Sequence, residues 1–84
     1  MIIFKNPNDQ FAAGYLIDKA GLKGARAGMA EISEKHANFI INHGGAKAKD
    51  VIKLIKLAKA EVAKQFNINL ELEVKLLGFK NDIV

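Results

Sequence analysis

The longest periodic stretch of the chain runs from Ala48 to Phe66. Apolar residues recur there at intervals of three and four, which places them on one face of an α-helix. This face comprises Val51, Ile55, Ala58, Val62 and Phe66. The pattern therefore predicts a long amphipathic helix whose lysines face solvent. Lys47 is a poor N-cap, so the helix lacks a side-chain N-cap unless Asp50 compensates near the helix dipole.

A second, shorter helix is predicted near the N-terminus. Asn8 or Asp9 follows Pro7, and both residue types accept hydrogen bonds from the backbone N–H groups at helix starts. Helical apolar spacing continues from Gln10 to Gly21. Because glycine readily adopts the left-handed conformation that ends many helices, Gly21 is the expected stop.

The remaining apolar segments favour β-strands. Ala27 to Ile32 and Asn38 to Asn42 are short and flank the polar loop Ser33 to His36. From Leu70 to Leu76 apolar and charged residues alternate, which is typical of a half-buried strand. With a strand-like start near Phe4, these elements predict a single α+β domain in which a small mixed or antiparallel sheet packs against two helices.

Length and composition narrow the class of protein. A chain of 84 residues, 50% of them hydrophobic, is long enough for one domain. It contains no cysteine, which excludes disulfides and thiolate metal sites. The apolar runs are far shorter than the ~20 residues of a membrane span. We therefore expect a soluble, cytoplasmic protein that does not bind a membrane.

The formal net charge of +4 raises the question of nucleic-acid binding. Arg26 is the single arginine, and no aromatic residue separates the lysines of the predicted long helix. Because arginine and aromatic side chains read and stack on bases, we expect no nucleic-acid partner. Two alternatives remain open: a free-standing basic module that binds nucleic acid or an acidic partner, and a small self-associating structural domain.

Candidate catalytic chemistry is sparse. Two histidines and one serine are too few to assemble a metal cluster or a nucleophile triad. Gly21, Gly24 and Gly28 follow a predicted helix rather than a strand, so they do not form a dinucleotide-binding fingerprint. We expect this chain to bind no metal, and the residues alone leave its function open.

Four blocks resemble the C-terminal domain of UDP-N-acetylenolpyruvoylglucosamine reductase, also called UDP-N-acetylmuramate dehydrogenase. The blocks follow one another in the family's order across almost the whole chain. They are Phe4 to Pro7, Ala13 to Gly24, Ala30 to Asn42 and Leu70 to Val74. The resemblance implies that residues 1–84 are this domain without the FAD-binding domains of the reductase.

The resemblance also implies a reaction. In that family, NADPH reduces FAD, and the reduced flavin passes a hydride to UDP-N-acetylglucosamine enolpyruvate, yielding UDP-N-acetylmuramate for peptidoglycan and cell-wall synthesis. The expected partners are this UDP-sugar and the N-terminal FAD-binding domains. Because those domains hold the cofactors, we expect the 84-residue chain to bind none and to be inactive by itself.

The family's site residues fall on four positions of this chain. Glu73 matches the glutamate that acts near the reacting carbon; its alternative is a solvent-facing strand residue paired with Lys75. Asn6 matches a substrate-contacting position, and His36 aligns with a substrate-contacting glutamine of some members. Lys5, beside Asn6, adds charge toward the diphosphate of the substrate. Asn6 is equally well explained as a turn residue at the helix entry, and His36 as an ordinary loop histidine.

The chain departs from the family pattern at two of these blocks. Ile2 stands where the family has a serine acid within a Gly-Ser pair, so the resemblance implies a missing proton donor and a boundary that passes through the active site. Leu72 stands where the family usually has proline. Ser33 lies in another block and does not replace the serine acid. For Arg26 we expect a structural salt bridge.

Overall fold

The computed structural model describes residues 2–73. Two helices and three short strands make up the regular structure of this part of the chain. They are α1 (Ala13–Lys19), β1 (Arg26–Ala27), β2 (Ala30–Ile32), β3 (Ile40–Asn42) and α2 (Ala48–Phe66). The predicted α+β class is confirmed, and the long helix has the predicted bounds.

The sheet is antiparallel, with β2 between β1 and β3. Its register pairs Ala30 with Asn42 and Ile32 with Ile40. Two isolated bridges continue the pairing beyond β3, because Ile2 lies opposite Phe39 and Phe4 lies opposite Leu72. The segment at residues 2–5 therefore lies between the start of β3 and residues 71–73. The predicted final strand contributes this short pairing, and its residues 74–76 lie outside the described range.

The predicted strand from Ala27 to Ile32 is wrong as a single element. The structure divides it into β1 and β2, which pair Ala27 with Ala30 around a two-residue turn. Gly28, at the first turn position, has a φ of +55°, a conformation that suits tight hairpin turns. The second predicted strand is also shorter than expected, since a turn from His36 to Phe39 precedes β3.

Helix α1 begins later than the sequence predicts. The Asn8 side chain accepts hydrogen bonds from the N–H groups of Gln10 and Phe11, each at 2.8 Å, and closes a separate turn. The helix itself starts at Ala13, after Ala12, which provides no side-chain cap. The prediction of Asn8 or Asp9 as its N-cap is therefore wrong, because the Asn8 oxygen is already committed to the preceding turn.

The C-terminus of α1 matches the prediction. Gly21 has a φ of +81°. Its N–H donates to Asp18 at 2.9 Å, and the N–H of Leu22 donates to Ile17 at 3.3 Å. This pair of bonds is a Schellman motif, which satisfies carbonyls that the helix leaves open.

Both ends of α2 are closed by local hydrogen bonds. The carboxylate of Asp50 accepts the N–H of Lys47 at 3.1 Å, so of the two alternatives it is compensation by Asp50 that the structure shows. At the other end Asn67 adopts a φ of +58°, and its N–H donates to Ala63 at 3.0 Å. No helix within residues 2–73 is both long enough and apolar enough to cross a membrane.

The hydrophobic core lies where α1 and the apolar face of α2 meet the sheet and the N-terminal segment. Its largest fully buried side chains are Ile3, Phe4, Leu16, Ile17, Ile32, Val51, Leu54, Val62 and Leu70. Leu54 joins the predicted apolar face of α2, whereas Phe66 is only half-buried. Each buried aliphatic or aromatic side chain contributes about 1.5–3 kcal/mol. The core thereby fixes the N-terminal segment against both helices.

We predict that Gly28→Ala destabilises the protein more than Gly21→Ala. Both glycines have positive φ, which costs an alanine about 1–2 kcal/mol. A Cβ at Gly28 would also collide with the carboxylate of Asp50, whereas a Cβ at Gly21 meets nothing within 4 Å. Displacing Asp50 from Lys47 costs about 1 kcal/mol more. Urea denaturation measures both losses, and equal losses would contradict this account.

Candidate functional site

A surface cavity of about 370 Å³ lies between α1 and the loop that precedes β3. Its polar side chains come from three separate segments of the chain. They are Asn6, Tyr15, Asp18, Lys23, Lys35, His36 and Asn38. Two of the four residues predicted for the site, Asn6 and His36, therefore share one cavity. A volume of this size is within the range of small-molecule sites.

Asn6 has a structural contact as well as a position in the cavity. Its Oδ1 accepts the N–H of Ala13, the first residue of α1, at 3.0 Å. This bond confirms that Asn6 acts at the entry to the helix, although its partner lies seven positions along the chain rather than within a local turn. Asn6 also borders a second cavity of about 110 Å³ that includes Lys5 and Glu71. Lys5 and Asn6 consequently line this second cavity together, and Lys5 is not among the residues that line the first.

His36 is held by the turn that follows β2. The buried Ser33 hydroxyl accepts the N–H groups of Lys35 and His36, each at 3.1 Å. The His36 ring lies 5.4 Å from the Phe39 ring, between centroids. Ser33 therefore organises the loop that presents His36, and its oxygen is engaged in that task.

Glu73 is half-buried and lies beside the N-terminal segment. Its N–H donates to the carbonyl of Ile3 at 2.9 Å, and the N–H of Lys5 donates to Glu71 at the same distance. Ile2 thus directly precedes Ile3, the residue to which Glu73 bonds. Among the described residues, Glu73 does not line the cavity shared by Asn6 and His36. Its alternative partner, Lys75, lies outside the described residues.

The cavity carries positive charge and aromatic surface that sequence reasoning missed. Lys23 lies 3.4 Å from Asp18 across an exposed salt bridge. Lys35 adds a second cation at the rim. Tyr15 stacks on Phe11 with ring centroids 5.6 Å apart. Amide, imidazole and ammonium groups together suit a polar anionic ligand.

Asn38 is the other residue that sequence reasoning missed. Its side chain accepts the N–H of Phe4 at 2.9 Å and donates to the carbonyl of Phe4 at 2.8 Å. Its own carbonyl accepts the N–H of Ile3 at 3.0 Å. The partners are 34 positions apart, so no periodic signal in the sequence connects them.

A separate charged cluster joins the β1–β2 hairpin to the end of β3. Glu31 is buried, with His43 Nε2 at 2.5 Å and the Arg26 guanidinium at 3.4 Å from its Oε1. The expected structural salt bridge of Arg26 is confirmed. The hydrogen bond with His43 holds the pKa of Glu31 below its usual value of 4.5; Arg26 acts in the same direction and burial opposes it.

The loop between β3 and α2 is the one strand-to-helix connection in residues 2–73 with paired glycines, Gly44 and Gly45. Such loops bind cofactor phosphates through free backbone N–H groups. Here Asn42 Oδ1 already accepts the N–H groups of Gly44 and Ala46, at 2.8 and 3.1 Å. The described residues therefore offer no such loop with all of its N–H groups free for the phosphates of FAD or NADPH. They also contain no group of three His, Cys, Asp or Glu residues placed to hold a metal ion.

Comparison with known proteins identifies relatives across nearly the whole chain. The family model of the UDP-N-acetylenolpyruvoylglucosamine reductase C-terminal domain matches residues 2–77. The reductase of Chloroherpeton thalassium is 55% identical over 96% of this chain and 28% of its own length. That of Chloroflexus aurantiacus is 57% identical over 89% of this chain and 25% of its own length.

A solved structure agrees with these sequence relatives. The UDP-N-acetylenolpyruvylglucosamine reductase of Thermus caldophilus superposes with a TM-score of 0.67 and 49% identity, covering 86% of this chain and 25% of that one. The chain thus spans about a quarter of the length of the relatives that it matches.

We predict that acidification removes stability that depends on ionised Glu31. Folding lowers the pKa of Glu31, so the stabilisation by its ionised carboxylate is complete at pH values above its usual pKa. This stabilisation is lost as the pH falls through the pKa of Glu31 in the folded state. Glu31→Gln should lower the free energy of unfolding at neutral pH, and its difference from the wild type should shrink as the pH falls below 4.5. Urea denaturation across pH measures this difference.

The exposed residue Glu34 supplies the matched control for Glu31. Glu34→Gln should leave the pH dependence of the free energy of unfolding close to that of the wild type. A difference between the wild type and Glu31→Gln that stays constant with pH would contradict the electrostatic account.

Proposed function

Because the chain belongs to the family of the UDP-N-acetylenolpyruvoylglucosamine reductase C-terminal domain, we propose that it is the part of such a reductase that closes over the substrate. The substrate is UDP-N-acetylglucosamine enolpyruvate, and the product, UDP-N-acetylmuramate, supplies peptidoglycan synthesis. One observation carries the proposal: Asn6 and His36, both assigned to substrate by family resemblance, line the same cavity.

The chemistry of the cavity supports a nucleotide-sugar ligand. Lys35 supplies an ammonium group that attracts a diphosphate, whereas Lys23 is paired with the carboxylate of Asp18, which also lines the cavity. His36 can donate or accept a hydrogen bond, depending on its tautomer. Lys5 extends the positive surface past Asn6 into the smaller cavity. These groups bind and orient the UDP-sugar.

Glu73 is the proposed catalytic residue of this chain. Reduction of the enolpyruvyl double bond builds negative charge next to the substrate carboxylate. A carboxyl group that shares a proton stabilises this charge by hydrogen bonding. The second carbon must also gain a proton, and Ile2 has none to give. The Glu73 N–H bonds to the carbonyl of Ile3, the residue after Ile2, so the backbones of the two positions lie on adjacent segments.

The hydride chemistry belongs to another part of the reductase. Because Asn42 engages two N–H groups of the loop after β3, those of Gly44 and Ala46, and the family resemblance places the cofactors elsewhere, we assign FAD and NADPH to the N-terminal domains. The 84-residue protein is therefore inactive alone. The lack of cysteine fits a cytoplasmic location.

We predict that His36→Ala weakens binding of UDP-N-acetylglucosamine to the 84-residue protein by about threefold to tenfold, because one hydrogen bond is lost. His43→Ala is the matched control, since His43 pairs with Glu31 rather than lining the cavity. An NMR titration under conditions where both variants are folded measures the dissociation constants. Equal weakening in the two variants would argue against this cavity as the substrate site.

We also predict that Ile2→Ser restores proton donation in a chimera of this chain with the N-terminal part of the Thermus caldophilus reductase. Turnover of the enolpyruvyl substrate should rise about 100-fold or more. Adding Glu73→Gln should reverse much of the gain. Ile41→Ser is the control, because Ile41 and Ile2 are similarly exposed, at 40% and 43%. A similar effect of the two serines would refute the assignment of position 2.

A further inference from the structure

The N-terminal segment, residues 2–6, contains Lys5 and Asn6, pairs with Glu73 and borders the cavity that His36 lines, and a single side chain bonds to the backbone at its centre. That side chain belongs to Asn38, which neither the family resemblance nor the sequence pattern assigns to the site. The geometry points to Asn38 as the positioning residue that sets Asn6, His36 and Glu73 relative to one another. This inference rests on the function proposed above.

The Asn38 side chain bonds to the backbone of Phe4 as a neighbouring strand would. Its amide accepts from the N–H and donates to the carbonyl of Phe4, at 2.9 and 2.8 Å. Phe4 is only 2% exposed. Buried backbone groups without partners cost about 1–3 kcal/mol each, so Phe4 depends on this amide for both of its hydrogen bonds.

The opposite edge of the same segment carries Glu73. The carbonyl of Ile3 and the N–H of Lys5, on either side of Phe4, pair with Glu73 and Glu71 at 2.9 Å. Phe4 is thus bonded on one edge by Asn38 and flanked on the other by the strand that ends at Glu73. A shift of Phe4 moves the Glu73 backbone with it.

The substrate cavity lies next to the same side chain. Asn38 lines the cavity, two positions after His36. Gly14 of α1 faces it, since a Cβ at Gly14 would meet Asn38 Cβ at 3.6 Å. Asn6 follows Phe4 by two positions and bonds the start of α1. Asn38 therefore lies where the three segments that supply the site converge.

The test compares Asn38→Leu with Asn42→Leu in the 84-residue protein. The Asn42 side chain also makes two hydrogen bonds to backbone groups, but it accepts both, from the N–H groups of Gly44 and Ala46 at the far end of β3. Native-state hydrogen exchange reports protection of the Glu73 N–H and, as an internal reference, of the Ile55 N–H in α2. An NMR titration with UDP-N-acetylglucosamine reports binding.

Asn38→Leu should reduce protection at Glu73 about tenfold more than at Ile55 and weaken UDP-sugar binding by a similar factor. Asn42→Leu should do neither. Asn38→Asp keeps the acceptor for the Phe4 N–H but places a carboxylate oxygen against the Phe4 carbonyl, so it should also show a selective loss at Glu73. It decides the matter if Asn38→Leu does not fold.

Equal loss at Glu73 and Ile55, or unchanged protection at Glu73, would overturn the positioning role. If Asn38→Leu selectively reduces hydrogen-exchange protection at Glu73, Asn38 is supported as the residue that positions Glu73. If the wild-type protein also binds no UDP-sugar, the proposed function is rejected. The two proposals therefore fail in different ways.

Discussion

The N-terminal segment depends on pairing along both of its edges, and the rest of the structure depends on that segment. On one edge the Phe4 N–H donates to the Asn38 side chain and the Phe4 carbonyl accepts from it, while on the other edge Ile3 and Lys5 pair with residues 71–73. Ile3 and Phe4 bring fully buried side chains to the core at the same point. Backbone pairing and apolar burial thus join the two ends of the described chain.

Polar side chains that bond to backbone groups define the loops around this segment. Asn6 begins α1, Ser33 forms the turn that presents His36, Asn42 organises the glycine loop, and Asp50 closes the start of α2. Short polar side chains suit these positions because they supply the partners that helix ends and turns lack. The cavity is therefore bordered by loops of defined shape.

The proposed division of labour follows from where these groups lie. The cavity joins Asn6 and His36 with two lysines, which suits binding and orientation of an anionic sugar nucleotide. Glu73 lies on the other edge of the N-terminal segment, next to position 2. Binding and proton chemistry would then occupy opposite edges of one segment, and movement of that segment would affect both.

Sequence alone determined α2, the Gly21 helix end and the α+β class, because apolar periodicity and glycine conformation act over a few neighbouring residues. Family resemblance supplied Asn6, Lys5, His36 and Glu73 as site candidates. Tertiary structure alone decided that the strand at Ala27 is a hairpin, that Asn8 closes a turn before α1, and that Asn38 supports Phe4. Those outcomes depend on competition between hydrogen-bond partners, including some 34 positions apart, which a local pattern does not encode.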